Sequence, residues 1–163
     1  IRTSDTMQHT AFFGGHLGNY FLLLFLDDMF SYELFETYYK SKECTTDHEP
    51  FCGRTSYAEN CAGGYYAARL PILEYLHNRK RQASVLALRV ITDEYYAPLG
   101  VWVVREAVRK ALRSTPVTFG SKELMRTYAQ KLLEKRCSYD PAHLFAKSMI
   151  WSSVGVQKRL SNY

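Results

Sequence analysis

Two neighbouring runs of aromatic and branched side chains, Asn19–Leu26 and Ser31–Lys40, restrict the fold of this chain more than any other feature. Both have the length and composition of strands, and Asp27-Asp28-Met29-Phe30 stands between them, so the pair reads as a β-hairpin. In the second arm Glu33, Phe35, Thr37 and Tyr39 alternate with Tyr32, Leu34, Glu36 and Tyr38, which leaves one face partly wet. The first arm is apolar on both faces, the pattern of an inner strand covered from both sides. Gln82–Ile91 is a further β-branched, apolar run of strand length, bounded by Arg79-Lys80-Arg81 and Thr92-Asp93.

Helical signals surround these runs. Lys42–Gly53 is polar, contains Pro50 and Gly53, and reads as a loop. A helix is expected from Tyr57 or Gly64 to Asn78, and a second from Val101 to Arg113 after Pro98-Leu99-Gly100. Pro116 and Gly120 precede a third that starts near Ser121. Asp140-Pro141 supplies a cap and a first-turn proline for a fourth, ending near Ser152. Strands and helices without regular alternation predict an α+β fold: an antiparallel sheet built on the aromatic hairpin and packed by about four helices. Hydrophobic residues at 47% and charged residues at 23% are enough for a sizeable core and exclude wholesale disorder. Residues 1–152 are read as one domain and residues 153–163 as an extended C-terminal tail. The chain opens on Ile1 rather than Met and is read as a fragment of a longer protein. The longest apolar run, Tyr20–Leu26, is too short for a membrane span, so no membrane partner and a cytoplasmic setting are expected.

The charge balance, 21 − 16 = +5, admits a polyanionic partner without requiring one. More telling are arginines in apolar company. Arg69 falls within the helical arc of Leu70, Ile72, Leu73 and Leu76, and Arg89 follows Val85-Leu86-Ala87-Leu88. A guanidinium stays charged, so each must meet an internal acid such as Glu59, Glu74 or Glu106, or an external phosphate or base. On the helix from Val101, the positions Val101, Val104, Val108 and Leu112 form the expected core stripe. Arg105, Arg109 and Arg113 repeat along the adjoining flank beside Trp102. Such a strip either holds phosphates and stacks a base, or is a solvated face with Trp102 packed elsewhere. Arg69, Arg89, Trp102, Arg105 and Arg109 are therefore the candidate nucleic-acid-binding set.

Cys44, Cys52, Cys61 and Cys137 contain no C-x-x-C pair, which argues against an ordinary zinc ribbon. Free thiols are the favoured reading. Cys44, His48, Cys52 and Cys61 are the weak metal candidates, and zinc or another divalent ion is the one cofactor left open. No P-loop, nucleophile-elbow or zincin motif is present, and catalytic residues are not identified. At the C-terminus, Gln157, Leu160 and Tyr163 fit Q-x-x-h-x-x-a, the start of a sliding-clamp-binding peptide. One turn of 3₁₀ helix would bring Leu160 and Tyr163 into a single apolar plug, with Gln157 anchoring it. The chain ends before a second aromatic residue.

Three segments carry a resemblance. Residues 57–70, YAENCAGGYYAARL, together with Arg81-Gln82-Ala83-Ser84-Val85-Leu86 and PLGVWVVREAVR at residues 98–109, resemble the archaeal Nre family of DNA-repair proteins. The resemblance is dense from Asn19 to Leu112. It implies a part in the DNA-damage response and recruitment to the PCNA sliding clamp through Gln157, Leu160 and Tyr163. The cysteine-rich N-terminal segment typical of the family has no counterpart here, and the family supplies a pathway rather than a reaction. Three functions stay open at this level. The first is a repair factor that binds DNA through the arginine and aromatic set and docks on PCNA. The second is a metal-dependent enzyme on damaged DNA, with Glu59, Glu74 and Glu106 as weak catalytic candidates. The third is a protein-interaction module using the aromatic residues Tyr32–Tyr39.

Overall fold

The structure, a computed structural model, describes residues 3–96 and 99–156. In chain order it runs β1 (Thr10–His16), β2 (Asn19–Leu26), β3 (Ser31–Tyr38), β4 (Cys44–Glu49), α1 (Ala62–Arg79), β5 (Ser84–Ile91), α2 (Val101–Leu112), β6 (Val117–Thr118), α3 (Lys122–Cys137), α4 (Ala142–Lys147) and α5 (Met149–Ser153). The strands form one sheet in the order β4-β3-β5-β2-β1-β6. The fold is α+β, as the sequence predicts, but the sheet is mixed.

The two aromatic runs are strands without being hairpin partners. Strand β5 lies between them, antiparallel to β2 and parallel to β3. The reason is burial. Both β2 and β5 are apolar on both faces, and placing them side by side at the centre of the sheet covers both. The half-polar β3 is moved outward, with β4 on its outer side. The hairpin that does form is β1–β2, closed by Leu17 and Gly18 with φ of 50° and 78°. Two residues in the left-handed region match the twist of the flanking strands.

The expected loop at Lys42–Gly53 contains β4. Its polar sequence hid it, because its carboxylates find their partners in loops and helices far along the chain. Helices cover both faces of the sheet. Phe21, Leu23, Phe25, Tyr32, Leu34, Val85 and Ala87 pack against α1 and α2. Leu22, Leu24, Leu26, Phe35, Leu86, Leu88 and Val90 pack against α3, α4 and α5. The buried stripe of α1 is Tyr65, Ala68, Ile72 and Leu76, which leaves Leu70 exposed. On α2 the stripe is Val103, Val104, Ala107, Val108 and Ala111, and Val101 is exposed.

The fourth expected helix is two, α4 and α5, broken at Ser148. The cause is Glu33, a glutamate of β3 that is 1% exposed. It accepts from Ser148 Oγ at 2.5 Å, Met149 N at 3.1 Å and Ile150 N at 3.1 Å. A carboxylate holding the first amides of α5 starts a new helix where α4 would otherwise continue. At the other end of α5, Lys122 Nζ donates to the carbonyls of Trp151 and Val154. Val154 is buried, so core packing continues past residue 152. No helix among the described residues is long and apolar enough to cross a membrane.

Candidate functional site

The edge strand β4 presents Asp47 and Glu49 two residues apart, so both side chains emerge on the α1 side of the sheet. Asp47 organises the segment leading into α1. Its Oδ2 accepts from Asn60 N at 3.0 Å, Cys61 N at 2.7 Å and Cys61 Sγ at 3.2 Å. It thus caps α1 from a neighbouring strand, in place of an N-cap side chain within the helix. Burial alone would raise the Asp47 pKa, but the Cys61 amide and thiol, with Arg54, hold it below the ordinary aspartate value. The Cys61 thiol is pushed well up, first by burial and then by that carboxylate, which keeps it protonated and unreactive.

Arg54 ties the connecting loop together. Nη1 donates to Asp47 Oδ1 at 3.4 Å and His48 O at 3.1 Å, while Nε and Nη2 hold the carbonyls of Ser56 and Tyr57. The first turn of α1 then fits into a narrow slot. A Cβ on Gly63 would lie 2.9 Å from Val101 Cγ1, and one on Gly64 would lie 2.7 Å from Glu36 Oε2. One turn later, Arg69 grips Glu49 with two bonds, Nε to Oε2 at 2.6 Å and Nη2 to Oε1 at 3.0 Å.

Three tyrosines complete the arrangement. The Tyr66 hydroxyl accepts from Ala58 N at 3.0 Å, and its ring meets Tyr65 edge-on at 5.0 Å. The Tyr57 ring lies against Tyr66 at 4.6 Å with an interplanar angle of 31°, and Tyr57 is 67% exposed. The Arg54 guanidinium sits 5.3 Å from the Tyr65 ring centroid. Glu49, Arg54, Tyr57, Tyr65, Tyr66 and Arg69 thereby line a cavity of about 330 Å³.

The five candidate nucleic-acid residues are not gathered in one place. Arg69 lines this pocket, and its partner is Glu49 rather than Glu59, Glu74 or Glu106. Arg89 is 8% exposed; its Nε and Nη2 donate to Asn19 Oδ1 and its Nη1 pairs with Glu36. It borders a separate cavity of about 820 Å³ with Glu36, Lys42, Cys44 and Lys147. Arg109 pairs with Glu106 at 2.9 Å and with Glu74 of α1 at 3.5 Å, so those two glutamates converge on a cation of their own chain. Glu59 is exposed. Trp102 is 44% exposed, with its ring 6.2 Å from that of His16. Arg105 is half-buried, and its Nε is buried with no hydrogen-bond partner among the described residues.

Sequence reasoning missed Asp47, Glu49, Arg54 and Tyr57 as a group. The alternation of Asp47 and Glu49 on a polar strand and the tyrosines at 57, 65 and 66 were the signals present. Cys44, His48, Cys52 and Cys61 do not form a ligand set; among the described residues no three His, Cys, Asp or Glu side chains are placed to hold a metal. All four cysteines are free thiols. Gln157, Leu160 and Tyr163 lie outside the described residues.

Four of the residues that line this pocket, Tyr57, Tyr65, Tyr66 and Arg69, fall in the block 57–70 through which the chain resembles its relatives. The family model described as archaeal Nre, C-terminal, matches residues 49–163. The chain belongs to the archaeal Nre family. DNA repair protein NreA of Archaeoglobus fulgidus is 43% identical over 128 residues, covering 74% of this chain and 32% of that protein. NreA of Haloferax volcanii is 48% identical over 65 residues, 40% of this chain and 16% of its own. DNA repair protein NreB of Archaeoglobus fulgidus is 32% identical over 140 residues, 81% of this chain and 34% of its own. The chain thus spans about a third of the length of the two Archaeoglobus Nre proteins. No solved structure matches it.

Proposed function

We propose that this Nre domain acts in DNA repair by holding nucleic acid at the pocket of Arg54, Tyr57 and Arg69 and by docking on the PCNA sliding clamp through Gln157, Leu160 and Tyr163. The observation that carries the nucleic-acid half is that aromatic rings and guanidinium groups, the two elements of a nucleic-acid contact, share one pocket built largely from the signature block. The names of the relatives, DNA repair proteins, point to the same process. In this reading Trp102, Arg105 and Arg109 extend the contact along α2. Arg89, bonded to Asn19 and Glu36 and only 8% exposed, is left in this reading to brace the end of the sheet.

The test is DNA binding followed by fluorescence anisotropy across a salt series. Affinity should fall with salt, with a log–log slope of about −0.9 per phosphate neutralised on duplex and about −0.7 on single strands. Absence of binding to duplex, forked and single-stranded DNA overturns the nucleic-acid half. Removing residues 157–163 should abolish co-elution with PCNA, and unchanged co-elution overturns the clamp half.

A further inference from the structure

Resting on that reading, we infer that the pocket of Tyr57 and Arg69 takes one unstacked base, which makes single-stranded DNA its ligand in preference to duplex. The first ground is the Tyr57 ring. It is an exposed aromatic surface held ready on one side by Tyr66, which is itself fixed by the Ala58 amide and the edge of Tyr65. Such a ring is a stacking platform, and every base offers it a π-face. In a duplex those faces are covered by neighbouring bases, so only an unpaired or extruded base reaches it.

The second ground is charge. Arg69 is matched by Glu49 and Arg54 by Asp47, so the pocket is close to neutral. A phosphate, which only accepts hydrogen bonds, gains little there. The edge of a base both donates and accepts. It finds a donor in the Arg69 Nη1, left over from the two bonds to Glu49, and acceptors in Glu49 and in the Tyr65 hydroxyl, whose own proton goes to Glu49. The third ground is size. A cavity of about 330 Å³ lies at the small end of ligand sites and suits one base rather than a length of helix.

The experiment compares the unaltered chain with Tyr57→Ala and Tyr57→Trp on a labelled single strand, the same strand with abasic positions, and the corresponding duplex. Tyr57→Ala should weaken single-strand binding about thirtyfold, the middle of the range for loss of one stacked base, and leave duplex binding unchanged. Tyr57→Trp should retain it, and abasic positions should weaken the unaltered chain as Tyr57→Ala does. Because Tyr57 is mostly exposed, both variants should unfold at the temperature of the parent. Equal single-strand binding by Tyr57→Ala and the parent overturns the base site while leaving nucleic-acid binding intact. Absence of any DNA binding by the parent overturns both. Full competition by a free deoxynucleoside monophosphate in place of the strand assigns the pocket to a mononucleotide and overturns the single-strand inference.

Discussion

Glu33 and Glu49 sit on adjacent strands, are 1% and 5% exposed, and serve opposite ends. Glu33 faces the α5 side and is held by a hydroxyl and two backbone amides. Glu49 faces the α1 side and is held by an arginine at the wall of an open pocket. A carboxylate bonded to backbone fixes where a helix begins, and its partners have no other use. A carboxylate bonded to a side chain leaves that side chain with donors to offer a ligand. The same buried acid is thus architecture on one face of the sheet and part of a site on the other.

The largest effect should come from Glu33→Ala. It strands the Ser148 hydroxyl and the Met149 and Ile150 amides inside the core, at a cost of about 3 kcal/mol or more. For a chain of this size that corresponds to a fall in Tm on the order of 10 °C, read by thermal unfolding. DNA binding by the folded fraction should be unchanged. A loss of binding that exceeds the loss of folded protein would break the division between the two faces.

Arg69→Met should come next, at about 2 kcal/mol, because it leaves Glu49 buried without its cation. Part of this should return in the double variant Arg69→Met with Glu49→Gln, and a double-mutant cycle would give the coupling. If Arg69→Met proves as damaging as Glu33→Ala, Glu49 is as architectural as Glu33 and the pocket loses its distinction.

The same contrast explains what could be read from the chain alone. The two-faced apolar runs at Asn19–Leu26 and Gln82–Ile91 announced buried strands, because burial on both sides leaves its mark locally. Their adjacency did not, since it depends on β5 displacing β3 from a partner much closer in sequence. Arg69 and Arg89 stood out as cations in apolar surroundings, yet their partners Glu49 and Glu36 lie 20 and 53 residues away, beyond any helical or hairpin spacing. Strand β4 was invisible as a strand because Asp47 and Glu49 look like solvated residues until Cys61 and Arg69 are placed against them. The signature block was recognisable as a string, but Arg54, which ties the pocket loop, lies outside it.

Asp47 offers a milder test that depends on pH. Its folded pKa is below the unfolded value of about 3.9, so the unfolded state binds more protons and stability rises with pH across that interval. The contribution is complete above about pH 4 and is lost as pH falls through the folded value. Asp47→Asn should lower stability at neutral pH by about 1 kcal/mol and flatten the acid limb of the stability–pH curve. An acid limb as steep as that of the parent would show that Asp47 does not share the charged character of the Glu49 side.

The smallest effect on stability should come from Arg105→Met. Arg105 Nε is buried without an acceptor among the described residues, whereas every other arginine in the candidate set is answered by a carboxylate of its own chain. Replacing an unanswered donor with an apolar side chain of similar length removes a desolvation penalty and keeps the packing, so stability should stay level or rise by up to about 1 kcal/mol. If Arg105 serves nucleic acid, the same variant should weaken DNA binding and reduce the salt slope by about one phosphate. Stability and binding would then move in opposite directions at one residue, as they should where a cation is kept for an external anion. A variant that loses stability and keeps its salt slope would instead place Arg105 with Glu33, among the groups that hold the fold.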